Sequence, residues 1–98
     1  MTRPKHTKRD KNQLSMVAIL RSLGMIVWDT ADLGGDVLDL VVFRDGQTRV
    51  VEVKQVGQRD ALTRNERQSI LTLADVGVKA IVAETWEDVI EAFKVEAK

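Results

Sequence analysis

The sequence predicts an α/β fold: a mixed β-sheet flanked by helices, in the order α-β-β-β-α-β-α. Three observations carry that expectation. Two apolar runs of strand character, Val37–Phe43 and Arg49–Val53, flank Asp45-Gly46, whose residues tolerate the positive φ of a tight primed turn, so the stretch reads as a β-hairpin. Segments with apolar residues at helical spacing lie on both sides of that hairpin. A further short run, Lys79–Ala83, follows the second of them, so the chain should return to the sheet through a right-handed crossover.

Each element has a local reason. Residues 1–9, with Pro4, read as a basic flexible arm, and 10–96 as one domain. Helix one is expected from near Asp10 to Leu23, with Asp10 or Asn12 as N-cap and Gly24 as C-terminal stop. Leu14, Val17, Ala18, Leu20 and Leu23 form its apolar stripe, and Gln13, one turn before Val17, falls on the inward edge. Met25–Trp28 is a short strand. The loop Asp29–Asp36 contains Gly34-Gly35, which permits unusual backbone geometry just before Asp39. After the hairpin and the polar loop Val56–Asp60, Thr63-Arg64-Asn65-Glu66 is a capping box opening helix two, which runs to about Val76. Its expected buried stripe is Ile70, Leu71 and Ala74, with Leu73 alongside. Thr85 caps a last helix whose Trp86, Val89, Ile90 and Phe93 follow an i, i+3, i+4, i+7 pattern.

Composition narrows the class. With 98 residues, 44% of them hydrophobic and 31% charged, the chain fits one soluble globular domain. It has no cysteine, which excludes disulfides and thiolate-bound zinc. No apolar run approaches the roughly 18 residues of a membrane span, and the basic start is not followed by an apolar leader region. A cytoplasmic protein without membrane contact is expected. The net charge of zero hides a gradient, because Arg3, Lys5, Lys8, Arg9 and Lys11 face only Asp10 at the start of the chain, while its end is acidic. Such an arm can hold phosphates; a solvated tail has the same composition.

The hairpin also raises a chemical question. If Asp45-Gly46 is a two-residue loop, Arg44 faces Gln47 and, counting outward, Asp39 faces Glu52. Both then share a face with Val41, Phe43, Val50 and Lys54. Facing carboxylates are destabilising, by roughly 3 kcal/mol at about 5 Å and an effective dielectric near 20. A divalent cation would reverse that sign, and Lys54 would relieve part of it, so the trio reads as a hard-metal site with oxygen ligands. The plain alternative is a solvated charge row on an edge hairpin, which the surrounding valines disfavour. A three-residue loop with a glycine bulge would shift Glu52 relative to Asp39.

Gly34-Gly35, Asp39 opening a strand, Val51-Glu52-Val53-Lys54 after a hairpin, and Leu62-Thr63 leading into a helix with Glu66 together resemble the PD-(D/E)xK nuclease superfamily. The likeness spans about Arg9 to Phe93 and is closest to VRR-NUC and Holliday-junction-resolvase-like proteins of phages and bacteria. It implies a restriction-endonuclease-like fold and a Mg²⁺- or Mn²⁺-dependent DNA endonuclease of the bacterial or phage-infected cell, selective for branched or junction DNA. By the same resemblance Asp39 and Glu52 are metal carboxylates and the Val53 carbonyl a third ligand. Lys54 would orient the attacking water and offset transition-state charge, with the metal polarising the phosphate. Gln13, Glu66 and Gln68 would support the site, although Glu66 serves equally as the capping-box acid. Arg59, Arg64 and Arg67, with Lys5, Lys8, Arg9 and Lys11, would bind backbone phosphates. One active centre per small subunit and two strands to cut imply a homodimer. Two positions depart from the pattern: Leu38 stands where a proline is usual, and Gln13 where many members carry an acid on helix one. The second opens an alternative, a catalytically weak or inactive DNA-binding module on the same fold.

Overall fold

The computed structural model describes residues 11–34 and 37–95. The chain forms α1 (Lys11–Ser22), β1 (Ile26–Asp29), a short 3₁₀ turn (Ala31–Leu33), β2 (Leu40–Arg44), β3 (Gln47–Val53), α2 (Arg64–Asp75), β4 (Ala80–Ala83) and α3 (Trp86–Val95). The four strands make one mixed sheet in sequence order, antiparallel from β1 to β3 and parallel between β3 and β4. This is the expected α/β element order.

The central hairpin turns where Asp45 and Gly46 both take positive φ, 48° and 79°, as a type I′ turn requires. No bulge intervenes: Arg44 pairs with Gln47 and the ladder runs in register to Leu40 opposite Val51. Asp39, just before the ladder, is held against the end of β3 by the Val53 N–H, which donates to its Oδ2 at 2.9 Å. β2 starts three residues later than its apolar run suggests, at Leu40 rather than Val37. The reason is local, since the Leu38 and Asp39 carbonyls accept bonds from the Thr30 hydroxyl (2.6 Å) and the Thr30 N–H (2.8 Å).

Strand alternation divides the sheet into two unlike faces. Val27, Leu40, Val42, Val51, Val53 and Ala83 point to the first, where Met16, Val17 and Leu20 of α1 and Val89 and Phe93 of α3 close over them. Each such side chain contributes about 1.5–3 kcal/mol on burial, so this layer supplies most of the driving force for folding. Ile26, Trp28, Val41, Phe43, Val50 and Glu52 point to the second face, where α2 covers only the β3–β4 side. Trp28 is left 58% exposed, with its ring edge-on to Phe43 at 4.8 Å between centroids.

Two stripes differ from expectation. In α1 the buried residues are Gln13, Met16, Val17 and Leu20, whereas Leu14, Ala18 and Leu23 are exposed. Both sets have helical spacing; the inward phase is the one that lets the Gln13 amide donate to Asp29 Oδ1 at 3.2 Å. In α2 the expected stripe is not buried: Leu71 is 56% exposed, Ala74 is exposed, Ile70 and Leu73 are half-buried, and Ser69 is the buried residue. A helix lying along one side of a sheet presents only a narrow strip to it. Asn12 is not a cap either. It lies inside α1, and its Nδ2 donates to the carbonyls of Lys54 (2.9 Å) and Glu84 (3.0 Å), clamping the ends of β3 and β4 together. Asp10 falls outside the described residues. The α3 stripe and the Thr63–Glu66 capping box are as expected. Among the described residues no helix is long and apolar enough to cross a membrane.

Candidate active site

Asp39 is the first side chain placed by the hairpin register, and three bonds hold it. Thr30 grips its backbone and that of Leu38, and the Val53 N–H donates to its Oδ2 at 2.9 Å. Where the resemblance leads one to expect a proline, Leu38 is thus anchored by its own burial and by a hydroxyl from the end of β1. Because a strand residue's N–H and C=O face the same neighbour, the Val53 carbonyl is directed toward the Asp39 side of β3. Lys54, one residue on, turns its N–H the other way, to Ala83 at 2.9 Å.

Glu52 is 5% exposed, and its carboxyl interacts with those of Glu66 and Asp39. Burial first, then the hydrogen bond to Glu66 and the charge of Asp39, push its carboxyl up to about 9. It therefore holds a proton at neutral pH. Burial also raises Asp39, against the opposing pull of the Val53 N–H. Glu66 shows the reverse balance: burial would raise it, but bonds from Glu52, Lys54 and the Thr63 N–H outweigh that and lower it to about 2. Lys54 Nζ stands 2.9 Å from Glu66 Oε1 and 3.8 Å from Glu52 Oε2. Glu66 thus joins two assignments, since the oxygen that accepts from the Thr63 N–H at 2.9 Å also holds Lys54 over the site.

These groups open into a cleft of about 200 Å³ bounded by Asp39, Glu52, Thr63, Asn65, Glu66 and Ser69, among others. Among the described residues no three His, Cys, Asp or Glu side chains form a ready-made metal cage. The donor set is nonetheless consistent with Mg²⁺ or Mn²⁺, which bind through one or two carboxylates and keep several waters. Asp39, Glu52 and the Val53 carbonyl are all hard oxygens, and three carboxyls against one ammonium leave a negative excess that a dication would balance. Glu52 would exchange its proton for the ion.

The remaining expected residues distribute unevenly. Gln13 is engaged with Asp29 and does not line the cleft. Gln68 points along α2 instead, its Nε2 on Thr72 Oγ1 at 3.3 Å. Arg59 bonds the Val82 carbonyl, Glu84 and Asp88, so its guanidinium brackets the loop before α2 to the β4–α3 corner. Arg64 and Arg67 are exposed on the first turn of α2, and Lys11 is exposed at the start of α1. Lys5, Lys8, Arg9, Gly35 and Asp36 lie outside the described residues. Thr30 and Asn12 shape the site without having been singled out for it. Neither carries a motif, because each acts on a carbonyl remote in sequence. Comparison with protein-family profiles, with curated proteins and with solved structures yields no match.

Proposed function

We propose that this chain is a metal-dependent DNA endonuclease of the PD-(D/E)xK type on a restriction-endonuclease-like fold, acting as a homodimer on branched or junction DNA. The observation that carries the reading is a single one: two carboxyl groups, Asp39 and Glu52, abut in an apolar strand pair with Lys54 beside them. A chain gains nothing structurally from burying Glu52 between two other acids, whereas a site for a cation and an anionic phosphate requires it. Asp39, Glu52 and the Val53 carbonyl would hold Mg²⁺ or Mn²⁺, which when bound supplies a Lewis acid for the phosphoryl oxygen and a more acidic water. Lys54 places its ammonium beside the reacting phosphate and offsets developing charge there, and Glu66 keeps it aimed. Arg64 and Arg67, exposed on the first turn of α2, contact flanking phosphates on the α2 side of the cleft.

Purified protein incubated with four-way junction, splayed and linear duplex DNA, in Mg²⁺, Mn²⁺ or EDTA, tests the reading. Nicking should require the metal and fall about 10²–10³-fold in Lys54→Ala with DNA binding retained. Cleavage of none of these substrates with either ion overturns it. One observation favours the second reading, a DNA-binding module that does not cut: the position where the resemblance expects a helix-one acid holds Gln13, engaged with Asp29. Metal-independent DNA binding without nicking is its signature.

A further inference from the structure

Beside the acidic cleft lies a second hollow of opposite character. It has a volume of about 350 Å³, and Val37, Leu38, Val50 and Leu73 supply its apolar walls. Gln68 and Thr72, bonded to one another at 3.3 Å, put an amide and a hydroxyl on its rim. The two hollows share the walls Val37, Leu38 and Ser69, so they are parts of one continuous depression between α2 and the sheet. The covalent path says the same: Leu38 immediately precedes Asp39, and Val50 lies two residues, about 7 Å, before Glu52 on the same face.

We infer that the apolar groove between α2 and β3 is a nucleobase subsite, receiving an unstacked base whose own phosphate sits at Asp39 and Glu52. This rests on the nuclease reading of the cleft and extends it to substrate class: an unpaired nucleotide, as at a junction, flap or bulge, rather than continuous duplex. The argument is one of matching chemistry over a short distance. A nucleotide is an anion joined to a flat, weakly polar ring with donors and acceptors on its edge. The depression offers a cation-ready polar end, an apolar slot within the size range of small-molecule sites, and an amide with a hydroxyl at the slot's mouth. Enzymes that act on extruded bases hold them between apolar side chains and read their edges by hydrogen bonds in this way. A duplex keeps its bases stacked and has nothing to place there. The groove also accounts for the exposure of α2: its inner strip is half open because the space beneath Leu73 is a slot and not a packed core.

The test is a methyl- and amide-resolved NMR titration of the full chain in Mg²⁺ with a deoxynucleoside 5′-monophosphate and, separately, with deoxyribose 5-phosphate. Saturable shifts of the Val37, Leu38, Val50 and Leu73 methyls by the nucleotide, with the base-less sugar phosphate binding about tenfold or more weakly, are expected. Thr72→Phe, an exposed helix position that can be enlarged without touching the core, should abolish those shifts while leaving the Asp39 and Lys54 amides responsive to Mn²⁺. Equal binding of both ligands, or nucleotide shifts confined to the acidic cleft, overturns the subsite. Shifts of the same methyls that grow with protein concentration in the absence of ligand also overturn it, because they assign the groove to a second copy of the chain. Failure of the nuclease reading has a different signature: base-dependent shifts in the groove with no metal-dependent cleavage of any DNA.

Discussion

β3 carries two buried charged residues three positions apart, and the chain treats them in opposite ways. Arg49 and Glu52 are each 5% exposed, one on either face of the sheet. Arg49 is met on all sides by acceptors: its guanidinium donates to the Thr48 carbonyl at 2.8 Å and twice to the Ala92 carbonyl at 3.3 Å, and it lies 4.9 Å from the centroid of the Phe93 ring. It caps the end of α3, where a helix presents carbonyls and negative dipole. Glu52 is met by two further acids and one lysine. Burial of a charge is thus no sign of function in itself; what distinguishes the two positions is whether the surroundings satisfy the group that was buried. Arg49 is at rest. Glu52 has no such matched set of partners among the described residues, and burial among acids holds its carboxyl up to about 9.

The sharpest way to break this contrast is to neutralise each charge while keeping its volume. Arg49→Met should destabilise the fold by about 3–4 kcal/mol in chemical denaturation, because it strands the Ala92 and Thr48 carbonyls and removes the ring contact. Glu52→Gln should do the opposite and stabilise the metal-free protein by up to about 3 kcal/mol at pH 7, since the amide imitates the protonated acid. Equal destabilisation by both would mean that Glu52 is a satisfied structural residue.

The pH dependence follows from the same group. The folded state raises Glu52 from 4.5 to about 9, so between those values it binds a proton that the unfolded chain has released. Stability of the metal-free protein is fully present below the lower value and declines as pH rises through the window, by at most about 1.4 kcal/mol per pH unit. Glu66, lowered from 4.5 to about 2, acts in the other direction: its contribution is present above 4.5 and lost as pH falls toward 2. Thermal melts from pH 4 to 9 should show the alkaline decline in wild type and its disappearance in Glu52→Gln.

Mn²⁺ sharpens the comparison further. At about 100 times its dissociation constant it should stabilise the wild type by about 2.7 kcal/mol, leave that increment intact in Arg49→Met and lose it in Asp39→Asn. A smaller effect is expected at Thr30. Thr30→Val removes the hydroxyl that holds the Leu38 carbonyl, costing about 1 kcal/mol in stability, and weakens Mn²⁺ binding by calorimetry because Asp39 loses part of its backbone support. An unchanged Mn²⁺ affinity would separate Thr30 from the site.

Much of this could be read directly from the chain where the reason was local. Asp45-Gly46 set the hairpin register, and with it Asp39 against the end of β3, because positive φ at two successive residues permits one tight turn. Thr63-Arg64-Asn65-Glu66 announced the start of α2, and the α3 stripe its buried face. Arg59 was less legible. As a basic residue near the mouth of the site it reads as a phosphate ligand, but the fold brings Glu84 of the β4–α3 corner and Asp88 of α3 against it. The phase of α1 was ambiguous for a similar reason, since two stripes fit the same helical period and only the packed sheet, which takes in Met16 and Leu20 and sets Gln13 on Asp29, selects between them.

By itself, then, the order of residues determined the elements, the turn and which side of each strand a group occupies, because these depend on neighbours a few bonds away. Tertiary structure alone decided how far α2 extends across the second face, that Thr30 and Asn12 secure the strand ends, and that Glu52 must share its space with Glu66 as well as Asp39. Those outcomes arise from carbonyls and carboxyls brought together across many residues, whose solvation and charge exist as a joint quantity only after the chain has closed around them.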